Sequence, residues 1–353
     1  MKILTVANEK GGVGKTFIAT QFAMYCALKF KLRTGLIDLD QQGNSSKYLA
    51  SSHRAVASQF KAADLLLQAS LELPQINDGF VYFEADDRLS LLEKQGDQAH
   101  GVFVDNLNYS LKSLEKSLDL VIIDTNPNPD IRSSAGLLVC THLISPIQLT
   151  KEPIDGIAAL FKRIESISNL NPNLPKGFLG MLPNLVESGN FQVQNGKQLI
   201  EKFGKLLLEI NEIKPVFVKD ERGNITPKFD ENKNVVFSNV LTYGAIRRHA
   251  GIAEAQAKGL PIWEMENQKA AWSEMKRCFF AILEKMQIDR ADNTTADMNA
   301  LLDECRNLYG TSWKSMIRQF WMMDNVAFLS GLTPEKIRLL RKIKECTPLA
   351  KIY

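Results

Sequence analysis

Seven residues, Lys10-Gly11-Gly12-Val13-Gly14-Lys15-Thr16, constrain this chain more than any other stretch. They follow the apolar run Ile3-Leu4-Thr5-Val6-Ala7, which reads as a buried strand. They precede Phe17 to Phe30, which reads as a helix with Ile18, Phe22 and Cys26 along one side. Strand, glycine-rich turn, Lys-Thr, helix is the setting an anion cradle requires. Glycines let successive backbone N–H groups turn inward around a phosphate. The helix N-terminus adds a partial positive charge, Lys15 adds a full one, and the Thr16 hydroxyl stands where it would ligate Mg²⁺. The common form of such a loop begins with glycine where this chain has Glu9, and Lys10 sits directly before the glycines. Local geometry accounts for Lys15 but leaves Lys10 over. A cation on the outer lip of the loop suits a nucleotide held by a facing subunit.

Length and composition narrow the setting. At 353 residues the chain exceeds one average domain and fits one large α/β domain with an appendage. Its 45% hydrophobic and 24% charged residues are those of a globular protein. The formal net charge of +3 is too small to mark a general polyanion binder, so any DNA binding must come from a local patch. Cys26, Cys140, Cys278, Cys305 and Cys346 are odd in number and contain no C-x-x-C pair. That spacing argues for a reducing compartment and against zinc or iron–sulfur ligation. His53, His100, His142 and His249 have no ligand spacing either. The N-terminus enters a strand at once, which leaves no room for a signal peptide, and no apolar run is long enough to span a bilayer. A cytoplasmic protein is expected.

Thr34 to Asp40 reads as a second buried strand ending in two carboxylates, followed by a polar loop from Gln41 to Ser46. In an open parallel sheet ligands sit at the carboxyl ends of strands, so these acids should face the phosphate loop. His53 to Gln68 and Gln98 to Lys116 read as helices, Phe80 to Phe83 as a short strand and Leu89 to Leu92 as another. Leu118 to Asp124 is an apolar strand capped by a carboxylate. Leu143 to Gln148 and Phe178 to Asn184 continue the strands, separated by a helix from about Ile154 to Ile167. This alternation predicts an α/β fold: a P-loop NTPase-like, mostly parallel twisted sheet flanked by helices. The polar stretch 211–234, with a turn at Asp220 to Asn224, predicts a hairpin insertion, and Val235 to Leu241 returns to strand. In the helix Met265 to Gln287, the stripe Trp272, Met275, Phe279, Ile282 and Met286 reads as core, with Lys269, Lys276, Arg277 and Lys285 opposite.

The loop Lys10 to Thr16 resembles the deviant Walker A box of the ParA/MinD family of ATPases, closest to the ParA/Soj-type DNA partition branch. Three later segments resemble that family in order: Asp38-Leu39-Asp40-Gln41-Gln42-Gly43-Asn44, the strand ending at Asp124 with Thr125-Asn126-Pro127, and Pro146-Ile147-Gln148. The matching segments cover residues 1–288. Residues 289–353 find no counterpart and read as a helical C-terminal extension, with Thr294 or Thr295, Thr311 and Thr333-Pro334-Glu335 as helix starts.

The resemblance implies an ATP-sandwich homodimer that uses Mg²⁺. Gly11, Gly12, Val13, Gly14, Lys15, Thr16 and Phe17 would cradle each subunit's own phosphates, and Lys10 would reach those of the partner. Thr16, Asp38 and Asp124 would surround the metal, Asp40 would orient the attacking water, Pro127 would lie in the second switch beside the nucleotide, and Asn184 would bond the adenine edge. Three residues depart from the family pattern: Gln41 and Asn126 stand at usual prolines, and Phe17 at a usual hydroxyl residue. The implied role is a slow, partner-stimulated ATP hydrolase for plasmid or chromosome partition, nucleoid-associated when ATP-bound. Nonspecific DNA, through Arg247, Arg248, Lys258, Lys276 and Arg277, and a centromere-binding ParB-like protein would be its partners. No N-terminal helix-turn-helix segment is present, so operator-specific autoregulation is not expected. Two alternatives stand: a MinD-like membrane-cycling positioner, using the basic amphipathic segment Ile337 to Lys344, and an ATPase adaptor of a conjugation or secretion system.

Overall fold

The computed structural model describes all residues except 93, 94, 96–99, 150–160, 163, 168, 172, 175, 220–222, 224, 229–235, 289–295, 311, 312, 314–339 and 341–353. The chain forms two compact units, one of residues 1–208 with 244–286 and one of residues 209–243 with 287–353.

The first unit is built on an eight-stranded sheet in which every strand pair is parallel. Its strands are β1 (Lys2–Val6), β2 (Thr34–Asp38), β3 (Val56–Ala57), β4 (Phe80–Phe83), β5 (Leu120–Asp124), β6 (His142–Ile147), β7 (Phe178–Val186) and β12 (Ile246–Arg247). They lie in the order β12-β7-β6-β1-β5-β2-β4-β3. The central strands are apolar on both faces because helices cover both sides. β2 and β5 are buried at every residue.

The helices of this unit whose bounds lie among the described residues are α1 (Lys15–Met24), α2 (Asn44–Ser52), α3 (Ala62–Leu67), α4 (Arg88–Leu92), α5 (His100–Ser113), α6 (Ile131–Val139), α7 (Asn190–Phe203), α8 (Ala250–Lys258) and α9 (Lys269–Lys285). α1 is buried all round rather than along one stripe, which a helix can sustain only inside the fold. It widens into a π turn at Tyr25–Lys29, where Tyr25 packs edge-on against Phe30 and Trp272. One core cluster joins Ile37, Val121 and Ile123 of the sheet to Leu107, Leu111 and Leu114 of α5 and its end.

Several sequence expectations shift here. The loop expected at Gln41 to Ser46 gives way to helix at Asn44, and Gly43 takes the left-handed conformation before it (φ 62°). The single helix expected from His53 to Gln68 is instead the short strand β3 followed by the helix α3, with α2 already over at Ser52. His53 ends α2 in the left-handed region (φ 51°), a local choice that helical periodicity does not report. Leu89 to Leu92, expected as a strand, is helical. The Asp86 carboxylate accepts the Arg88 N–H at 2.9 Å, and this cap decides a segment whose apolar pattern is too short to choose.

In the second unit β8 (Glu209–Pro215) pairs antiparallel with β11 (Phe237–Tyr243), and β9 (Phe217–Lys219) with β10 (Ile225–Pro227). This is the hairpin insertion the polar stretch predicts, with Gly223 at φ 82° in its turn. One C-terminal helix is described, α10 (Ala296–Tyr309), followed by Gly310 at φ 56°. The expected capping threonines, the later helices, and the segment Ile337 to Lys344 apart from Leu340 lie outside the described residues. Most of the helix expected near residues 154–167 does too, as does most of the Asp220 to Asn224 turn. Among the described residues no helix is long and apolar enough to cross a membrane.

Candidate nucleotide site

The phosphate loop leaves β1 and enters α1 through two glycines that need their lack of a side chain. Gly12 and Gly14 have φ of 75° and 89°, where an L side chain is strained. A Cβ on Gly14 would lie 2.2 Å from the Asn184 amide nitrogen. The loop is tied down from outside. Asn8 donates its amide to the Pro146 carbonyl at 2.9 Å and accepts the Lys10 N–H at 2.8 Å. Gln148 donates to the Gly12 carbonyl and Asn184 to the Val13 carbonyl, each at 2.8 Å. The Pro146-Ile147-Gln148 segment therefore braces the loop.

The two lysines of the loop differ. Lys15 is buried and turned inward, its ammonium 3.2 Å from the Lys10 carbonyl oxygen. Burial lowers its pKa, opposed by the nearby Asp124 and Asp40 carboxylates. Lys10 is exposed on the outer lip. Phe17 is buried at 2% exposure, so its ring belongs to the core.

Facing the loop, parallel pairing sets Asp38 opposite Asp124, and Asp124 opposite Val6. Both carboxylates are fully buried. Ser46 holds Asp38 through its N–H at 2.8 Å and its hydroxyl at 2.7 Å, while the Ser45 hydroxyl donates to Asp124 Oδ2 at 2.6 Å. Desolvation and the neighbouring Asp124 charge push the Asp38 pKa up. Desolvation also raises that of Asp124, although Ser45, Thr16 and Lys15 pull it down. Asp124 Oδ1 is buried without a hydrogen-bond partner. Two crowded anions and an unsatisfied acceptor beside the Thr16 hydroxyl are a donor set that a hard divalent cation fits. Among the described residues there is no cluster of three or more His, Cys, Asp or Glu that could hold an ion by itself. Mg²⁺ usually keeps waters and phosphate oxygens among its ligands, so a small protein share suits it.

Asp40 begins a tight turn. Its N–H bonds Asp38 Oδ1 at 3.2 Å, its carbonyl accepts the Gly43 N–H at 2.9 Å, and its carboxylate accepts the Gln42 N–H at 3.0 Å. After β5, Asn126 donates to Asp130 at 2.8 Å, and Pro127 follows directly. Asn184 spends its amide nitrogen on the loop, and its Oδ1 is buried without a partner.

The five basic candidates belong to the first unit but are not a bare cationic patch. Arg247 pairs with Glu274, Arg248 with Glu187 at 2.6 Å and Lys258 with Glu254 at 2.6 Å. Lys276 and Arg277 are only half exposed. Sequence reasoning passed over Ser45 and Ser46, the hydroxyls that hold the two buried acids. Their signal was a glycine followed by small polar residues at a helix start. It also passed over Arg132, which no spacing rule marks.

A family model described as an AAA domain matches residues 1–176. The chain is 31% identical over 215 residues to Protein IncC of Escherichia coli, across 59% of this chain and 57% of that relative's length. It is 30% identical over 207 residues to the chromosome-partitioning ATPase Soj of Thermus thermophilus, across 57% of this chain and 77% of the relative. Among solved structures it is similar to an ATP complex of McdA from Cyanothece, with a TM-score of 0.59 at 17% identity over 83% of this chain and 99% of that one. It is also similar to a putative plasmid partition protein of Borrelia burgdorferi bound to AMPPNP, with a TM-score of 0.56 at 18% identity over 80% and 99%. Fold and phosphate loop together define a P-loop nucleotide-binding protein. The chain belongs to the ParA/Soj-type family of partition ATPases.

Proposed function

We propose that this chain is an ATP-dependent dimerising switch for DNA partition, carried by the unit of residues 1–208 and 244–286. The observation that most supports it is the pair of lysines on one loop. Lys15 is buried and turned inward, whereas Lys10 stands exposed on the outer lip. An inward lysine serves the subunit's own phosphates. A second cation on the outside is placed for the phosphates of a facing copy, as an arginine finger supplied in trans would be.

In this reading backbone N–H groups of Gly11 to Phe17 receive the phosphates at the start of α1. Thr16, Asp38 and Asp124 would hold Mg²⁺, which when bound neutralises phosphate charge and orients the transferring group. Asp40, on its rigid turn, orients the attacking water. Hydrolysis then rests on positioning and charge rather than on a covalent nucleophile. Asn184 Oδ1, a buried acceptor, suits the exocyclic amine of adenine and would favour ATP over GTP. Lys10 bridging the copies makes dimerisation and turnover one event, so ATP favours the dimer and hydrolysis dissolves it.

The dimer would bind nonspecific DNA, with Arg247, Arg248, Lys258, Lys276 and Arg277 contacting phosphates, and a ParB-like partner would stimulate hydrolysis. Three of those cations already pair with carboxylates, so DNA phosphates must compete with Glu274, Glu187 and Glu254. Binding should accordingly be weak and strongly salt-dependent. The test is retention on nonspecific duplex DNA at low salt by an Asp40→Ala protein held with ATP. Retention that needs ATP and disappears as salt rises supports the reading, and indifference to DNA refutes it.

A further inference from the structure

The turn after β2 and the segment after β5 are joined by one buried guanidinium. Arg132, the second residue of α6, is among the largest fully buried side chains. Burying a charge is unfavourable unless it is paired and hydrogen-bonded, and Arg132 is both. Its Nε lies 3.1 Å from each Asp130 oxygen, and Nη2 also donates to Asp130 Oδ2. Asp130 is itself the N-cap of α6, accepting the Arg132 N–H at 2.9 Å, and it also accepts the Asn126 amide at 2.8 Å. The Arg132 guanidinium and the Asn126 and Arg132 N–H groups pull the Asp130 pKa below the usual carboxylate range, against its burial. One anion thus collects the segment that follows Asp124 and fixes the guanidinium in place.

The other end of that guanidinium crosses to the first loop. Arg132 Nη1 donates to the Gln41 side-chain oxygen at 3.0 Å. Gln41 is the residue after Asp40, inside the turn that the Gly43 N–H closes on the Asp40 carbonyl. The turn bearing Asp40 is therefore held on one side by Asp38 and on the other by Arg132. Guanidinium suits this bridge because its planar fork presents five donors in fixed directions, which an ammonium cannot copy. Gln41 and Asn126, the two departures from the family pattern in these loops, belong to this one network.

We propose that Arg132 is a positioning residue. Acting through Gln41, it sets the orientation of the Asp40 carboxylate and locks the turn after β2 to the segment after β5, so that the two move together. This rests on the reading of Asp40 as the group that orients the attacking water.

The test is steady-state ATP hydrolysis by the full chain carrying Gln41→Ala, Gln41→Glu or Asp40→Ala, with thermal unfolding followed alongside. Gln41→Ala removes the acceptor but leaves the buried Arg132–Asp130 pair intact. Its kcat should fall about tenfold while the KM for ATP stays near that of the unaltered protein, and the unfolding midpoint should fall only modestly, because one buried Arg132 donor loses this acceptor. Gln41→Glu, which keeps an acceptor oxygen toward Arg132, should recover turnover relative to Gln41→Ala. Should Gln41→Ala turn over like the unaltered protein, or should the two Gln41 variants fall alike, the proposal is overturned. The Asp40→Ala arm separates the two ideas. Turnover lost there but kept in Gln41→Ala spares the role of Asp40 and removes that of Arg132. Turnover kept in Asp40→Ala removes the role of Asp40, and the proposal with it.

Discussion

Asp38 and Asp124 face each other in register at the ends of neighbouring parallel strands, both fully buried and both with pKa values pushed up. A carboxylate whose folded pKa is raised keeps a proton that the unfolded chain has already lost. Its contribution to stability is therefore present at low pH and disappears as pH rises through the raised value toward neutrality. A divalent cation held by the pair would take the place of that proton. Mg²⁺ should raise the unfolding midpoint clearly at about pH 8 and little at about pH 5.5, where protons already relieve the pair. His142 runs the other way: burial and the nearby Lys2 charge lower its pKa from 6.5 to about 4, so its contribution is lost as pH falls. It sits at the first residue of β6, the end away from the loop, so comparing samples with and without Mg²⁺ isolates the acids. An equal Mg²⁺ shift at both pH values would contradict the assignment of the pair.

Gly14 and Gly11 should respond differently to alanine. At Gly14 the new Cβ meets the Asn184 amide at 2.2 Å and the backbone is left-handed, a strain of about 1–3 kcal/mol or more. At Gly11 no heavy atom lies within 4 Å of the added Cβ and φ is not positive. Thermal unfolding should therefore drop for Gly14→Ala and stay close to the unaltered protein for Gly11→Ala.

Asn184→Ala removes the donor to the Val13 carbonyl inside the fold. Leaving that acceptor unsatisfied should cost about 1–3 kcal/mol in denaturant unfolding. If Asn184 Oδ1 receives the adenine amine as proposed, the same variant should also bind ATP less selectively against GTP in a competition assay, because it removes that buried acceptor.

Asp40→Ala should bind ATP about as well as the unaltered protein while hydrolysis falls about a hundredfold or more. Single-turnover kinetics with nucleotide binding measured separately would check both halves.

The phosphate loop was legible in the sequence because its spacing is a chemical requirement: two glycines at positive φ, Lys15 and Thr16 leave few alternatives. The parallel sheet followed from apolar runs such as Val121-Ile122-Ile123, buried on both faces. The Leu89 to Leu92 segment was misread because its identity depends on the Asp86 cap and not on its own pattern. The helix start expected at His53 was misplaced for a similar reason, since the left-handed His53 ends α2, which hydrophobic periodicity does not report. Ser45, Ser46 and Arg132 escaped because their partners lie 79, 8 and 91 residues away along the chain for Asp124, Asp38 and Gln41. Only the folded sheet brings such pairs together.

The trans role of Lys10 is the claim on which the switch depends, and mass in solution tests it most directly. Sedimentation or light scattering should find the unaltered protein monomeric without nucleotide and dimeric with ATP and Mg²⁺. Lys10→Ala should remain a monomer under the same conditions while still binding nucleotide through Lys15. If Lys10→Ala forms the ATP-dependent dimer and hydrolyses ATP as the unaltered protein does, the shared nucleotide site is not how this protein works.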